Sequence, residues 1–535
     1  MRHRQAPTAL TAVPVVDLFA GPGGLSEGLA NVTDRLGRPF FDVRLSIEKE
    51  ETAHSTLLLR SIYRAVSGRG IPDCYYDYLR GAVSRAELLA HPAVRSAAAH
   101  AAEEARCAEL GRTPHVTVDA WIRKATAGST DWVLIGGPPC QAYSLVGRSR
   151  LRPVDPKAFE DDARHFLYRE YLRIIRRFSP AVFVMENVKG LLTSRHKGTS
   201  MFARILSDLR KPGADATYRV GSLVTTSDDP EPSDFVIESE RFSLPQKRHR
   251  VILLGVRSDI ASRIDWSCSS LTLSQSQAIV SASAALGDLP RLRSRLSREH
   301  DDHDSWIRAV REATKSLRYW RGDARAEIEA RMASATREAA EVRSFGGRFV
   351  ETAKVASERL PASLEEWIRD ARLGGVSLHE TRRHMRSDLH RYLFAASFAD
   401  VFHCSPKLPL FPPELMPAHG NVESDDVPFL DRFRVQLRGE PSTTVVSHIA
   451  KDGHYYIHYD PAQCRSLTVR EAARLQTFPD NYFFEGNRTE QYVQVGNAVP
   501  PFLARQIGEV VRNALFAAQT DRADRLATRN PVPDR

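Results

Sequence analysis

The chain has 535 residues, of which 42% are hydrophobic, and this is enough for two or three domains with ordinary cores. No apolar run reaches the roughly 18 residues of a membrane span. The six cysteines form no Cys-x-x-Cys pair, which argues against zinc ribbons and disulfide frameworks and favours a reducing, cytoplasmic setting. The net charge of +9 fits a surface that binds phosphates, although an arginine excess can also follow from a GC-rich genome.

The first predicted elements are a strand, a tight loop and a helix. Val13–Phe19 is a short apolar run, Ala20–Gly24 is rich in glycine, and helical apolar spacing begins at Leu25–Leu29. The next apolar run, Phe41–Ile47, ends at Glu48. Strand, helix and strand in this order open a doubly wound α/β fold.

Further apolar runs alternate with helical stretches, as a mainly parallel sheet requires. The predicted strands are His115–Val118, Trp132–Ile135, Ala181–Met185 and Val251–Val256. Helices are predicted over Phe166–Phe178 and Met201–Arg210. The segment from about 50 to 115 is rich in alanine, arginine and histidine, and we interpret it as a helical insertion on the surface.

The character of the chain changes after about Asp265. Residues 291–345 are charged and rich in arginine, which predicts long exposed helices. Residues 404–445 contain many prolines at irregular spacing. Because this middle part lacks the strand–helix rhythm, we predict a second, irregular α+β domain.

A regular helical pattern returns near the end of the chain, at Ser466–Gln476. Thr468 and Glu471 within it have the spacing of a capping box, which predicts the start of a helix. The residues from about Thr520 onward are polar and predict a frayed end.

The glycine turn after the first strand suggests a cofactor site, because glycines let a backbone approach a ligand closely. Glu48, at the end of the second strand, can accept hydrogen bonds from two ribose hydroxyls. The dinucleotide pattern Gly-x-Gly-x-x-Gly fails, since Ser26 and Leu25 stand where glycines are needed. A cofactor with ribose and adenine but no phosphate, such as S-adenosylmethionine, fits better. Asp119, after the third predicted strand, either contacts adenine or caps the following helix.

The most specific segment leads from a strand into Cys140. Two glycines and two prolines, Gly136–Pro139, precede this cysteine and hold it rigidly where the predicted strand ends. A cysteine that only fills a core does not need this presentation. A free thiol has a pKa of about 8.5 and acts as a nucleophile only as the thiolate, so Cys140 is predicted to be activated.

Six segments together carry a resemblance to a known family. They are Phe19–Gly24, Pro138–Gln141, Glu186–Val188, Gln246–Arg250, Arg465–Pro479 and Gln494–Pro500. In this order they resemble the motif set of DNA cytosine-5 methyltransferases. The resemblance covers the N-terminal 265 residues and the stretch from about 440, and it covers neither the middle of the chain nor the segment 50–115.

The resemblance implies a covalent mechanism. Cys140 attacks carbon 6 of a flipped-out cytosine, so that carbon 5 accepts a methyl group from S-adenosylmethionine. Glu186 contacts ring nitrogen 3. Arg248 and Arg250, which point to one face of an extended segment, lie beside it; one braces Glu186 and the other holds a phosphate, and the sequence does not assign which. No residue is identified as the base that removes the carbon 5 proton.

The resemblance also implies a set of cofactor contacts and no metal. These residues are Phe19, Gly21, Gly23, Gly24, Leu25, Glu48, Asp119, Pro139, Asn497 and Val499. Asp119 stands 21 residues before Cys140, a separation associated with the adenine-contacting aspartate of the family.

The implied fold is a doubly wound, mainly parallel sheet of the S-adenosylmethionine-dependent methyltransferase type, with a second target recognition domain. We expect a catalytic and cofactor-binding domain over 1–265, the target recognition domain over 266–485, a segment returning to the catalytic domain over 486–519, and a flexible tail over 520–535. The implied substrate is double-stranded DNA, bound by a monomer away from membranes. Restriction–modification or a related defence system, with its partner proteins, is the implied setting.

Two histidine groups are interpreted as non-metal features. His300–Asp304 lies in a polar stretch and favours an exposed loop. His448, His454 and His458 lack cysteine partners at zinc spacing, and we predict strands that flank a hairpin turn at Asp452-Gly453.

Three alternative functions remain at this point. A tRNA cytosine-5 methyltransferase of the same fold would share the catalytic residues, but a large recognition region favours DNA. A catalytically inactive, DNA-binding regulatory member would have lost the cysteine or the glycine turn, and both are present. A dehydrogenase fails on glycine spacing and does not explain the Pro-Pro-Cys140 segment.

Overall fold

The computed structural model describes most of the chain. The described residues are 12–139, 164–196, 199–214, 216–276, 278–318, 320–322, 324–352, 359–417 and 431–529. Cys140, the predicted nucleophile, lies outside the described residues.

Sixteen strands occur in the described residues. They are β1 (Val13–Leu18), β2 (Phe41–Glu48), β3 (Ala105–Cys107), β4 (Val133–Gly136), β5 (Val182–Val188), β6 (Arg195–His196), β7 (Thr199–Ser200), β8 (Tyr218–Gly221), β9 (Val236–Glu238), β10 (Gln246–Lys247), β11 (His249–Arg257), β12 (Arg295–Leu296), β13 (Gly346–Glu351), β14 (Gly375–Glu380), β15 (Arg383–His384) and β16 (Ser442–Thr443).

The α-helices of the same residues connect and flank these strands. They are α1 (Gly24–Ala30), α2 (Glu51–Ser67), α3 (Asp73–Arg80), α4 (Arg85–Ala90), α5 (Pro92–Glu104), α6 (His115–Thr126), α7 (Arg164–Phe178), α8 (Met201–Arg210), α9 (Ser258–Ala261), α10 (Ala282–Leu286), α11 (His303–Glu312), α12 (Arg325–Ala339), α13 (Ala362–Ile368), α14 (Arg386–Phe402), α15 (Val469–Leu475), α16 (Arg488–Asn497) and α17 (Pro501–Arg529).

Eight of the described strands form the central sheet. Its order is β3-β2-β1-β4-β5-β11-β8, and β9 also pairs with β11. The strands from β3 to β5 are parallel, whereas β11 runs antiparallel to both β5 and β8. Alternate residues of β1 enter two different cores, Val13 and Val15 on one face and Val16 and Leu18 on the other. The sheet is therefore covered by helices on both faces, and the predicted doubly wound fold is confirmed.

The segment 50–115 is part of the core and not a surface insertion. Its helix α2 buries Leu57, Leu59 and Ile62 and packs against α5 and β3. Strand β3 lies within the segment and forms one edge of the central sheet. The prediction was wrong because Ala105–Cys107 has only three residues and no apolar run that the sequence could show.

The predicted strand at His115–Val118 is also wrong, since these residues begin α6. Pro114 precedes the helix, and Val118 and Ile122 are buried one turn apart on its inner face. A short apolar run does not distinguish a strand from the first turn of an amphipathic helix.

The helices of the middle part of the chain are not the exposed helices that the sequence predicted. α11 buries Trp306 and Val310, and α12 buries Ile328 and Met332. Both helices pack against α14, and their buried residues belong to the same hydrophobic cluster as one face of the central sheet. The apolar face was not evident from the sequence, because many arginines lie on the solvent side of the same helices.

The end of the chain returns to the beginning. α17 packs against α1, and it continues beyond Thr520 to Arg529, where the sequence predicted a frayed end. α15 begins with the predicted capping box, in which Thr468 and Glu471 bond each other's backbone. No helix of the described residues has the length and apolarity that crossing a membrane requires.

Candidate active site

Most of the predicted site residues in the described part of the chain lie at the carboxyl ends of the central strands. Leu18 of β1 is paired with Gly136 of β4, and Gly136 is paired with Met185 of β5. Because the three strands are parallel, the loops after β1 and β4 meet beside Glu186 at their carboxyl ends. This edge is where ligands bind in open α/β sheets.

Glu48 organises the glycine loop that follows β1. Its Oε2 accepts a hydrogen bond from the backbone N–H of Gly21 at 2.8 Å, and its Oε1 accepts from Lys49 and Glu50, each at 2.8 Å. Gly21 has a φ of 56°, and a Cβ built on it meets no atom within 4 Å. Glu48 therefore holds the backbone of the loop at Gly21, while the space on the Cβ side of Gly21 stays open.

The segment after α16 closes the other side of this loop. A Cβ added to Gly24 would overlap the carbonyl oxygen of Val499, so only glycine permits this approach. Leu25 is buried beneath the loop, and Asn497 is exposed at the end of α16. Residues from the two ends of the chain thus lie against each other at the loop, as the sequence predicted for its cofactor set.

Phe19 and Gly23 shape the rest of the loop. Phe19 has a φ of 57° and is half-buried at the point where β1 ends. The N–H of Gly23 donates to the carbonyl of Ala20 at 2.9 Å, and Gly23 has a φ of 96°. This turn directs the chain into α1, and the left-handed backbone explains the glycine at position 23.

Asp17 is a buried carboxylate that the sequence interpretation missed. It is fully buried on β1, opposite Ser46 of β2, and neither its oxygens nor the Ser46 hydroxyl has a hydrogen-bond partner in the described part of the chain. Burial raises the pKa of Asp17 to about 7, against the lowering effects of the nearby Ser26 and then of Arg64. An acid inside the apolar run Val13–Phe19 was the signal that could have drawn attention to it.

Asp119 has a different setting from the one predicted. It lies inside α6, where its Oδ1 is 2.7 Å from Arg173 and its Oδ2 is 2.6 Å from Arg177, both on α7. Burial raises the pKa of Asp119, but the two guanidiniums outweigh this effect and hold it below its usual value. The third parallel strand of the sheet ends instead at Cys107, two residues before Glu109.

Glu186 lies within β5 beside the segment that leads to Cys140. Its Oε1 is 2.9 Å from Nε of Arg250, and each side chain exposes 15% of its surface. A Cβ on Gly137 would stand 3.0 Å from Oε2 of Glu186. The next residue, Asn187, donates from Nδ2 to the carbonyl of Pro138 at 3.4 Å. Pro139, half-buried, is the last residue described before Cys140.

Arg248 and Arg250 engage different partners. Arg248 is buried, and its Nη1 donates to the carbonyls of Val445 at 2.9 Å and Gly496 at 3.3 Å. Its Nε is buried without a partner among the described residues. Burial, and then the charge of Arg250, lower the pKa of Arg248 to about 9. Arg250 is therefore the arginine that braces Glu186, which the sequence left open.

Two glutamines that the sequence interpretation did not select connect the motif segments. Nε2 of Gln246 donates to Oε1 of Gln476 at 2.9 Å, and its Oε1 accepts from the N–H of Val445 at 2.7 Å. Nε2 of Gln476 in turn donates to the carbonyl of Val495 at 2.6 Å. All of these atoms are buried, so the segment around Arg248 is tied to both later motifs.

The arginines of the Arg465–Pro479 segment are buried and structural. Arg465 forms a two-bond ion pair with Glu471, both bonds at 2.7 Å, and also donates to the carbonyl of Leu292. Arg474 pairs with Asp480 and, at 2.6 Å, with Asp288. These contacts join α15 to the middle part of the chain, in line with the organising role that the sequence predicted.

The two histidine groups have structural partners. Asp301 pairs with Arg293 and Arg295, and Asp302 caps α11. The predicted hairpin at Asp452-Gly453 is wrong, because short 3₁₀ turns lie on both sides of Gly453. His454 there accepts or donates a 2.7 Å hydrogen bond with the buried hydroxyl of Tyr392.

Comparison with known proteins identifies the family whose sequence model this chain matches. A model of the C-5 cytosine-specific DNA methylase family matches residues 121–513. The Type II methyltransferase M.Bpa9945I of Bacillus paralicheniformis is 31% identical over 525 residues, which cover 94% of this chain and 99% of that protein. The Type II methyltransferase M.AgeI of Thalassovita gelatinovora is 25% identical over 401 residues, 72% of this chain and 83% of that protein.

A solved structure has the same fold. It is a prophage-encoded protein of E. coli, assigned as a DNA modification methyltransferase, with a TM-score of 0.53 and 18% identity. The match covers 94% of this chain and all of the other chain.

Proposed function

Because the chain belongs to the C-5 cytosine-specific DNA methylase family and is therefore a DNA cytosine-5 methyltransferase, we propose that Cys140 is its nucleophile and that its substrate is a cytosine flipped out of duplex DNA. Carbon 6 of a stacked cytosine is not accessible, so the base must leave the helix before attack. The relatives named Type II methyltransferases support a place in restriction–modification, beside a nuclease that cuts the unmethylated site.

The observation that carries the proposal is the position of Glu186. Its carboxylate is held by Arg250 and lies against Gly137, three residues before Cys140. A thiolate at Cys140 forms a bond to carbon 6, and the electrons of the 5,6 double bond move toward carbon 5. Glu186 offsets the charge that develops on the ring by a hydrogen bond or proton at nitrogen 3.

To complete the reaction, the bond between carbon 5 and its proton and the bond between carbon 6 and sulfur must both break. After carbon 5 has gained its methyl group, a base removes the proton at carbon 5, the 5,6 double bond forms again, and the bond to sulfur breaks. Cys140 is thereby restored as the thiolate. No described side chain is assigned as that base, and a water molecule is sufficient for this step.

The residues at the glycine loop fit S-adenosylmethionine, the methyl donor that methyltransferases of this kind use. The open space beside Gly21 leaves room for a ligand, and Oε2 of Glu48, which accepts one N–H, retains a lone pair for a ribose hydroxyl. When bound, this cofactor supplies an electrophilic methyl group. We propose that it is held by Phe19, Gly21, Gly23, Gly24, Leu25, Glu48, Pro139, Asn497 and Val499. Asp119 is left out because Arg173 and Arg177 engage both of its oxygens.

The middle part of the chain, residues 266–485, is proposed to be the target recognition domain. Its helices α11 and α12 pack against α14, and Nε2 of Gln246, on the catalytic side, donates to Oε1 of Gln476 in this part. DNA bound between the two parts would place the flipped base at Glu186, with basic side chains on phosphates.

The test is methylation and covalent trapping with the full-length protein. Bisulfite sequencing of genomic DNA from expressing cells should show 5-methylcytosine at one defined sequence. A duplex carrying 5-fluorocytosine at that site should form a stable adduct, which Cys140→Ala abolishes and Cys268→Ala, at an exposed thiol, retains. If labelled methyl groups from S-adenosylmethionine entered only tRNA, the tRNA methyltransferase would be favoured. If the protein bound the cofactor but formed no adduct, the inactive, regulatory member would be favoured.

A further inference from the structure

Two consecutive residues, Asn481 and Tyr482, form hydrogen bonds with two different parts of the chain. The hydroxyl of Tyr482 donates to the carbonyl of Pro22 in the glycine loop. Nδ2 of Asn481 donates to Oδ2 of Asp370, in the middle part of the chain, at 2.7 Å. The peptide that joins these residues lies within the proposed recognition domain and connects Asp370 of that domain to the proposed cofactor loop.

A second connection runs from Asn481 back to the helix after the glycine loop. Nη1 of Arg60 donates to Oδ1 of Asn481 at 2.9 Å. The same guanidinium forms a two-bond ion pair with Glu27 of α1, at 2.8 and 2.6 Å. Glu27, Arg60 and Asn481 are all buried, with at most 6% of each residue exposed. We call Glu27, Arg60, Asn481 and Asp370 the junction.

Helix α3 extends the junction on the side of the middle part. The hydroxyl of Tyr76 donates to Oδ2 of Asp370 at 2.7 Å, so this oxygen accepts from both α3 and Asn481. Arg80 donates to the carbonyls of Arg372 at 2.6 Å and Leu373 at 3.2 Å. The helices of segment 50–115 are thus docked against residues 370–373, where the recognition domain meets the catalytic side.

We propose that Asp370 and Asn481 are positioning residues that couple cofactor binding at the glycine loop to DNA binding by the recognition domain. The proposal rests on the proposed function, because it requires that the two sites bind a cofactor and DNA. Every polar group of the junction has a directed partner. A small displacement of α1 or of the glycine loop therefore changes hydrogen bonds that reach Asp370 without passing through solvent.

Coupling between two binding sites is a free energy that acts equally in both directions. If the junction transmits it, duplex DNA containing the target site should tighten binding of S-adenosylhomocysteine, and this ligand should tighten binding of DNA by the same factor. A purely structural junction would instead change stability and leave that factor unaltered. The factor separates the two roles.

The experiment measures the affinity for S-adenosylhomocysteine by calorimetry, with and without the duplex identified by bisulfite sequencing. For the wild type we expect about a fivefold or larger gain on adding DNA, which is the low end of typical coupling. Asn481→Ala and Asp370→Ala should each reduce the gain to about twofold or less. Asn513→Ala, on α17, is the matched control and should keep the wild-type gain.

A reciprocal exchange keeps the test informative if the alanine variants fold poorly. Combining Asn481→Asp with Asp370→Asn reverses the amide and the carboxylate and still allows a hydrogen bond between the two positions and with Arg60. The exchange should recover most of the gain that Asn481→Asp alone loses. The proposal is overturned if the wild type methylates DNA but shows no gain, or if folded junction variants, including Tyr76→Phe, all keep the full gain. Absence of methylation by the wild type would instead refute the proposed function.

Discussion

The Nε atom of Arg250 lies 2.9 Å from Oε1 of Glu186, and this pair stands at the point where β5 and β11 adjoin the segment leading to Cys140. The two strands are antiparallel, and Arg250 is in register with Val188, two residues beyond Glu186. The arginine holds the carboxylate in one orientation, which a group that must contact the edge of a base requires.

Replacement of the Glu186 carboxylate should affect the chemical step. We expect Glu186→Gln to lower kcat by about 100-fold or more, since a positioned acid contributes this much to a proton transfer. DNA affinity should change far less. Single-turnover methylation assays and DNA titrations separate the two effects. Glu238→Gln is the control, because Glu238, on the neighbouring strand β9, also pairs with an arginine, Arg241. An equal loss of activity in this variant would contradict the assignment.

Glu48 should control cofactor affinity. Its carboxylate accepts the N–H of Gly21 in the glycine loop and those of Lys49 and Glu50, which lead into α2, and hydrogen bonds to a charged group contribute about 1.5–3 kcal/mol each. Glu48→Ala should weaken binding of S-adenosylhomocysteine by about 10-fold or more, measured by calorimetry. Glu50→Ala, at a side chain that is 69% exposed, should leave the affinity unchanged. Equal affinities for both variants would show that Glu48 is dispensable.

Gly24 should be intolerant of a side chain. A Cβ there would overlap the carbonyl oxygen of Val499, and a backbone atom cannot move aside as a flexible side chain can. We expect Gly24→Ala to lower the free energy of unfolding by about 1–3 kcal/mol. Gly68→Ala, at the end of α2 with no atom within 4 Å of the new Cβ, is the control. Urea denaturation of the two variants should differ; coincident curves would refute the close approach.

Asp17 should make stability depend on pH in an unusual direction. The folded pKa of about 7 exceeds the ordinary value of 3.8, so its contribution is complete below pH 3.8 and is lost as the pH rises through 7. Asp17→Asn does not ionise. Its stability relative to the wild type should therefore rise between pH 4 and pH 7, by about 4 kcal/mol at most, in urea denaturation at several pH values.

The control for this prediction is Asp42→Asn on β2, where the side chain is 47% exposed. Its stability relative to the wild type should stay level over the same pH range. A level curve for Asp17→Asn as well would mean that Asp17 ionises as freely in the folded protein as in the unfolded one.

His379 should make the folded protein less stable as the pH falls, which is opposite to the effect of Asp17. It is buried between Thr468 and Pro290, and burial lowers its pKa to about 4 from the ordinary 6.5. Its contribution is complete above pH 6.5 and is lost as the pH falls toward 4, by about 3 kcal/mol. His379→Gln should remove this loss, so its stability relative to the wild type should rise as the pH falls. His100→Gln, at an exposed position of α5, should show no such trend in the same denaturation series.

The residues close together in sequence were predictable. The strand, glycine loop and helix of Val13–Leu29, the helices α7 and α8, and the capping box at Thr468 all depend on backbone geometry over a few residues. The order of the six motif segments indicated the family. Glu48 at the end of the second strand followed from the same local pattern, since the carboxyl end of a strand can be read wherever its apolar run is long.

The tertiary structure alone decided which distant groups meet. The pairing of Arg250 with Glu186 depends on the register of β11 against β5, which no local pattern encodes. Strand β3 was hidden because pairing with β2 stabilises three residues that have little strand propensity of their own. The sequence interpretation placed Asp119 after a strand, because the short apolar run before it did not reveal a helix. The helix directs Asp119 toward Arg173 and Arg177. The sequence determined the local elements and the chemistry of single residues, because these follow from neighbours along the chain; the partners of each charge were decided by packing, because burial makes a charge depend on whichever group the fold brings within hydrogen-bond distance.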